Sequence, residues 1–206
     1  IDDLAKTARN RTREVTRRVN EHIPEISLDF DREVLPMTPA GNATERHVCA
    51  AYEKKSRVFW PDATRRARWW AGKLGVSEDT VAGVIGNPPA MQALIRAKLM
   101  KKGGPGYIVS EPDAFPALQA VNNFTLANGA IPTMTFLDGT SSGEQAMDEL
   151  MDLMQASGVI AANIIPDRNW NYPDPEVRAR KGALMRDFLQ QAKRRAMPVF
   201  AGTEMN

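Results

Sequence analysis

Hydrophobic positions change their rhythm along this chain, and the change predicts two different kinds of structure. Up to about residue 105 the apolar positions recur mostly at helical spacing. The first stretch, Leu4 to Val19, is highly charged with few apolar positions, and reads as a solvated helix or an arm packed on something else. Residues 23–41 have no clear period and three prolines, and read as strand and loop. Helical patterning returns from Arg46 to Arg57, then from Pro61-Asp62 to Leu74 with Gly75 as its stop. It follows again after the cap residue Ser77, and from Ala90 to Lys102. Gly103-Gly104-Pro105-Gly106 is a loop.

Beyond that loop, short apolar runs alternate with capped amphipathic segments. Tyr107 to Val109 is a short extended piece. A helix is predicted from Ala114 to Asn128, capped by Asp113 and stopped by Gly129. Strands are predicted over 131–137, 159–165 and 198–202. Between them lie two helices. The first, Glu144 to Ala156, follows Ser141 and Ser142 at capping-box spacing and carries Met147, Leu150, Met151 and Met154 on one face. The second runs from Asp174-Pro175-Glu176 to about Ala196. Strand, helix, strand, helix, strand is the pattern of parallel α/β units, which build a barrel or an open sheet. The expected organisation is a mainly helical segment over 1–105 and a parallel βαβαβ region over 106–206.

Composition narrows the class. The 206 residues are 43% hydrophobic and 25% charged, the balance of a globular domain and not of a disordered chain. A formal net charge of +2 gives no whole-protein case for nucleic acid or an anionic membrane. The single cysteine, Cys49, excludes an intramolecular disulfide and a cysteine-rich zinc module, and it reads as core and not as nucleophile. No apolar run approaches the roughly 20 residues that span a bilayer. The N-terminus has no signal-peptide pattern, so the cytoplasm is the expected compartment. The missing initiator Met suggests a fragment or a trimmed chain.

In parallel sheets, chemistry gathers where the strands end at their carboxyl edge. Three such ends carry acids: Asp138 in Asp138-Gly139-Thr140, Asp167 in Asp167-Arg168-Asn169-Trp170, and Glu204 in Gly202-Thr203-Glu204-Met205-Asn206. Converging carboxylates suit a divalent metal or general acid–base work, with Asp138, Asp167 and Arg168 as the catalytic candidates. Each acid alone is also an ordinary turn residue. The Gly139–Glu144 stretch resembles a phosphate cradle only weakly, and neither a dinucleotide fingerprint nor a Walker lysine motif occurs. Trp60, Trp69 and Trp70 read as packing residues, and Trp170 as a pocket residue. The basic run from Lys181 to Arg195 reads as a solvated helix face.

The stretch KKGGPGYIVSEPDAFPALQAVNNFTLANGAIPTMTFLDG (101–139) resembles the middle of PHP-domain phosphoesterases, the polymerase and histidinol phosphatase superfamily. AMPVFAGTEMN (196–206) is similar to the closing strand of that family. The resemblance implies an α/β fold, a PHP-like distorted (β/α) TIM-type barrel. Three strands do not close a barrel, so the first half must supply others or the barrel is incomplete in this chain. It also implies divalent metal ions (magnesium, manganese or zinc) and a metal-dependent hydrolase of phosphoesterase type acting on a small phosphorylated or sugar-like substrate. By position the implied metal ligands are Glu204, Asn206, Asp138, His47 and Glu33, while Phe136 stands where the family has a strand-ending histidine. The site is therefore a modified one. The alternatives are a non-catalytic relative that binds a ligand or partner, and another barrel enzyme, an isomerase or lyase, working on a sugar-like substrate.

Overall fold

A computed structural model describes residues 2–38, 41–109 and 114–202. The chain divides into two compact units, Ile1–Phe115 and Pro116–Asn206.

The first unit is helical: α1 (Asp2–His22), α2 (Glu45–Phe59), α3 (Ala63–Leu74), α4 (Glu78–Ala82) and α5 (Pro88–Leu99). Its core gathers Val19, Ile23, Tyr52, Trp70, Met91 and Ile95. The charged first helix contributes to this core, because Val15 and Val19, with Ile23 just beyond its end, fall at four-residue spacing and are buried. Its arginines are used as well. Arg18 donates to the Tyr107 carbonyl at 3.0 Å and Arg11 to the Ile108 carbonyl at 3.0 Å, which ties the chain after the glycine-rich loop to α1. Gly106 lies so close to α1 that a Cβ there would sit 2.6 Å from the Val19 side chain. Asp62 caps α3, Gly75 ends it in the left-handed region at φ +63°, and Ser77 caps α4.

The strand reading of residues 23–41 is overturned. The described part forms short turns of tight or wide helix at Pro24–Ile26, Phe30–Val34 and Leu35–Met37. Asp29 accepts the Asp31 and Arg32 N–H groups, so local side-chain caps satisfy the backbone that a strand ladder would otherwise have to pair.

The second unit contains α6 (Leu118–Ala127), β1 (Thr133–Phe136), α7 (Ser142–Gln145), α8 (Met147–Ala156), β2 (Ala161–Ile164), α9 (Asp167–Trp170), α10 (Pro175–Arg194) and β3 (Val199–Ala201). The strands pair in parallel in the order β1-β2-β3, with Met134 opposite Ala162 and Asn163 opposite Phe200. Met134, Phe136 and Ile164 bury one face of the sheet against Met151 of α8 and Phe188 and Ala192 of α10. Phe136 and Phe188 stack with ring centroids 4.6 Å apart. The helix expected over 144–156 breaks at Ala146, whose ψ of 54° lies outside the helical range.

The barrel is overturned. Of the described residues 64% are helical, and their sheet has three strands and is not closed. Closing a small barrel takes about eight strands with a consistent tilt, and the described residues of the first unit contribute helices instead.

Candidate strand-edge site

The carboxyl ends of β1 and β2 lie side by side, and the polar groups that follow them are held by a short network. Asp138 comes two residues after β1. Its Oδ1 accepts the Thr140 N–H at 3.0 Å and also the Thr140 hydroxyl. Its Oδ2 accepts from Lys181 Nζ at 2.5 Å. Between them Gly139 takes φ +76°, and a Cβ there would meet the Leu184 side chain at 2.9 Å, so the turn needs glycine. Burial alone would raise the Asp138 carboxyl. The hydrogen bonds from Lys181 and Thr140 outweigh it and hold the group below its ordinary range.

Lys181 belongs to the second turn of α10 and is only 7% exposed. Its ammonium lies 5.6 Å from the centre of the Tyr172 ring, within cation–π range. An ammonium has three donors. One goes to Asp138, and the other two find no partner among the described residues.

Asn169, fully buried on α9, ties the two strand ends together. Its Nδ2 donates to the Leu137 carbonyl at 3.1 Å and the Ile165 carbonyl at 3.2 Å. Its Oδ1 is buried and accepts nothing. Glu144 completes the β1 end, accepting the Leu137 N–H at 2.6 Å and the Ser141 hydroxyl at 2.8 Å. The strand edge thus holds a desolvated cation with spare donors and a buried acceptor without a donor. A ligand bearing negative oxygens could use the spare donors of the cation.

Comparison with protein-family models, with curated proteins and with solved structures finds no match to this chain.

Of the residues the sequence nominates, Asp138 and Asp167 follow adjacent strands at one edge of the sheet. Asp167 is exposed at the first position of α9, Arg168 is half-buried beside it, and the Arg168 carbonyl accepts the Tyr172 hydroxyl at 3.0 Å. Glu204 and Asn206 lie outside the described residues. Glu33 and His47 belong to the first unit and have structural work there. Glu33 accepts from Lys55 at 2.8 Å and from the Asp29 N–H at 2.7 Å. His47 Nδ1 accepts the Thr44 N–H at 3.1 Å in a capping box. Phe136 faces the core. Among the described residues no three of His, Cys, Asp or Glu come close enough to share a metal ion. Both Asp138 oxygens are already committed, so the described donors do not fit the metal centre that the resemblance implies.

Lys181, Asn169 and Tyr172 are the site residues that sequence reasoning missed. The solvated-face reading of Lys181 to Arg195 fails at its first member. Lys181 shares the stripe of Leu184, Phe188 and Ala192, at offsets of three, seven and eleven residues, and that stripe faces the core. A lysine on the apolar stripe of a capped helix was the available signal. Trp170 is exposed, and Trp60 and Trp70 are buried.

Proposed function

We propose that the chain is a hydrolase of small phosphorylated or sugar-like compounds, and that the substrate is seated at the carboxyl edge of the sheet around Lys181. The observation that carries this is the buried ammonium of Lys181, fixed by Asp138 and still holding unused donors. Burying a cation is costly unless its hydrogen-bonding capacity is used, and a phosphate oxygen would use it. Asp138 fixes the position of the ammonium, and Tyr172 covers one side of it. Asp167 and Arg168 continue the polar rim after β2. The carboxyl edge of a parallel sheet is the usual place for such a seat.

The reaction class comes from the resemblance of residues 101–139 and 196–206 to the PHP phosphoesterases. Divalent ions supply the attacking hydroxide in that chemistry. The described donors do not form such a centre, so the roles assigned to this chain's residues are binding and orientation. The test measures phosphate release from glycerol phosphate, sugar phosphates and an aryl phosphate, with and without magnesium or manganese, for the wild type and Lys181→Met. Loss of a charged hydrogen bond should raise KM by about tenfold or more. No release from any substrate, or an unchanged KM in a folded Lys181→Met protein, overturns the reading.

A further inference from the structure

Helix α6 is turned inside out. Among its described residues Asn122 alone is buried, and the Asn122 Nδ2 donates to the Ser157 carbonyl at 2.7 Å. Ala120, Val121, Phe124 and Ala127 follow at helical spacings of three and four, so they share the side of the helix away from Asn122, and all four are exposed. Val121 is 40% exposed and Phe124 56%. Leu118 and Leu126 flank this stripe and are also exposed. A helix in a folded domain turns its apolar stripe toward the core. Here a polar side chain takes the inward place, and the apolar stripe is left for something outside the unit.

We propose that a second copy of this chain covers the stripe, with the two α6 helices packed antiparallel about a twofold axis at Phe124. Charge selects that occupant. From Ala114 to Leu137 the sequence has no Asp, Glu, Lys or Arg, so the face offers nothing to a charged partner and meets its own copy without opposing like charges. The polar groups bordering the stripe fit as well. Asn123 and Asn128 carry amides, which both donate and accept, so one such border can pair with an identical one. Shape agrees. Val121 and Ala127 each lie three residues from the axis, so the larger side chain of one copy meets the smaller one of the other, twice over. The two Phe124 rings meet at the axis as an aromatic pair.

The area sets the strength. Phe124 leaves roughly 100 Å² uncovered, and the stripe with its flanking leucines roughly 300–400 Å². At the usual non-polar share this corresponds to roughly 600 Å² per partner, the low end for specific interfaces. The dimer is therefore reversible and depends on concentration.

The full chain is followed by sedimentation velocity from micromolar to millimolar concentration. The wild type should pass from monomer to dimer over this range. Phe124→Asp, Val121→Asp and Ala127→Lys are changes at exposed positions, and each should raise the dissociation constant about tenfold or more by burying an unpaired charge. Mixing the Val121→Asp and Ala127→Lys proteins should restore the dimer, because the twofold sets the introduced acid of one copy beside the introduced base of the other. A chain that stays monomeric throughout overturns the proposal, and protection of the α6 amides from hydrogen exchange in such a monomer would assign the face to an intramolecular contact. A dimer that survives Phe124→Asp, or a mixture that fails to restore association while both variants remain folded by circular dichroism, overturns it as well.

Discussion

Replacing Asp138 by Asn leaves the Lys181 ammonium in its buried place with a neutral amide as its partner. The cost lies between two limits. Breaking a fully buried pair from one side costs about 3–5 kcal/mol, and an exposed pair is worth about 0–1 kcal/mol. Here the lysine side chain is 9% exposed and the aspartate 22%, with N–O at 2.5 Å. The Thr140 bonds to Asp138 can survive, because both go to Oδ1 and an amide oxygen there can still accept them. A loss of roughly 2 kcal/mol is expected. Asp138→Asn with Lys181→Met should recover most of it, because the unpaired charge is then gone, giving a coupling energy of about 1.5 kcal/mol in a double-mutant cycle. The folded-state carboxyl lies below its ordinary value. Its stabilisation is therefore complete well above the unfolded value of about 3.9, and is lost as pH falls through the depressed folded value. Urea unfolding at pH 7 and at pH 3, followed by far-ultraviolet circular dichroism, measures both effects. The gap between wild type and Asp138→Asn should be wide at pH 7 and narrower at pH 3. A pH-independent gap, or a coupling energy of zero, refutes the burial argument.

Ser56→Ala strands the indole N–H of Trp70, which donates to Ser56 Oγ at 3.1 Å inside the core. It should lower stability by about 1–3 kcal/mol, seen as an earlier urea midpoint, whereas an unshifted midpoint would show that the bond contributes nothing. Cys49, buried and pushed up to about 12, should resist iodoacetamide at pH 8 in the native chain and label fully in denaturant. Rapid native labelling would show that the seam between α2 and α5 opens.

What the sequence made legible was local. Asp62, Ser77, Ser141 and Asp174 cap helices because their side-chain oxygens reach backbone N–H groups two or three residues on, an interaction within one turn of chain. The parallel sheet was legible for a related reason, since apolar runs separated by amphipathic helices leave few ways to pair. The barrel was not. It rested on a resemblance and on strands the first half would have to supply, and residues 24–37 settle into capped turns instead. The strand-edge site was half legible. Asp138 could be placed from its position after an apolar run, but its partner Lys181 lies 43 residues away. Nothing in a basic helix marks which lysine turns inward except its place on the stripe of Leu184 and Phe188. Asn169 looked like a turn residue, and only the structure places its amide between two strand ends.

The central claim is that the strand edge seats a phosphorylated small molecule. It is tested most directly by titrating the full chain with glycerol phosphate while following the Asn169 side-chain amide, the Thr140 and Leu137 amides and the Lys181 Nζ resonance. The account predicts saturable shifts at all four, weakened about tenfold or more by Lys181→Met. No saturable shift at Thr140, Leu137 or Lys181 in the folded chain would contradict it.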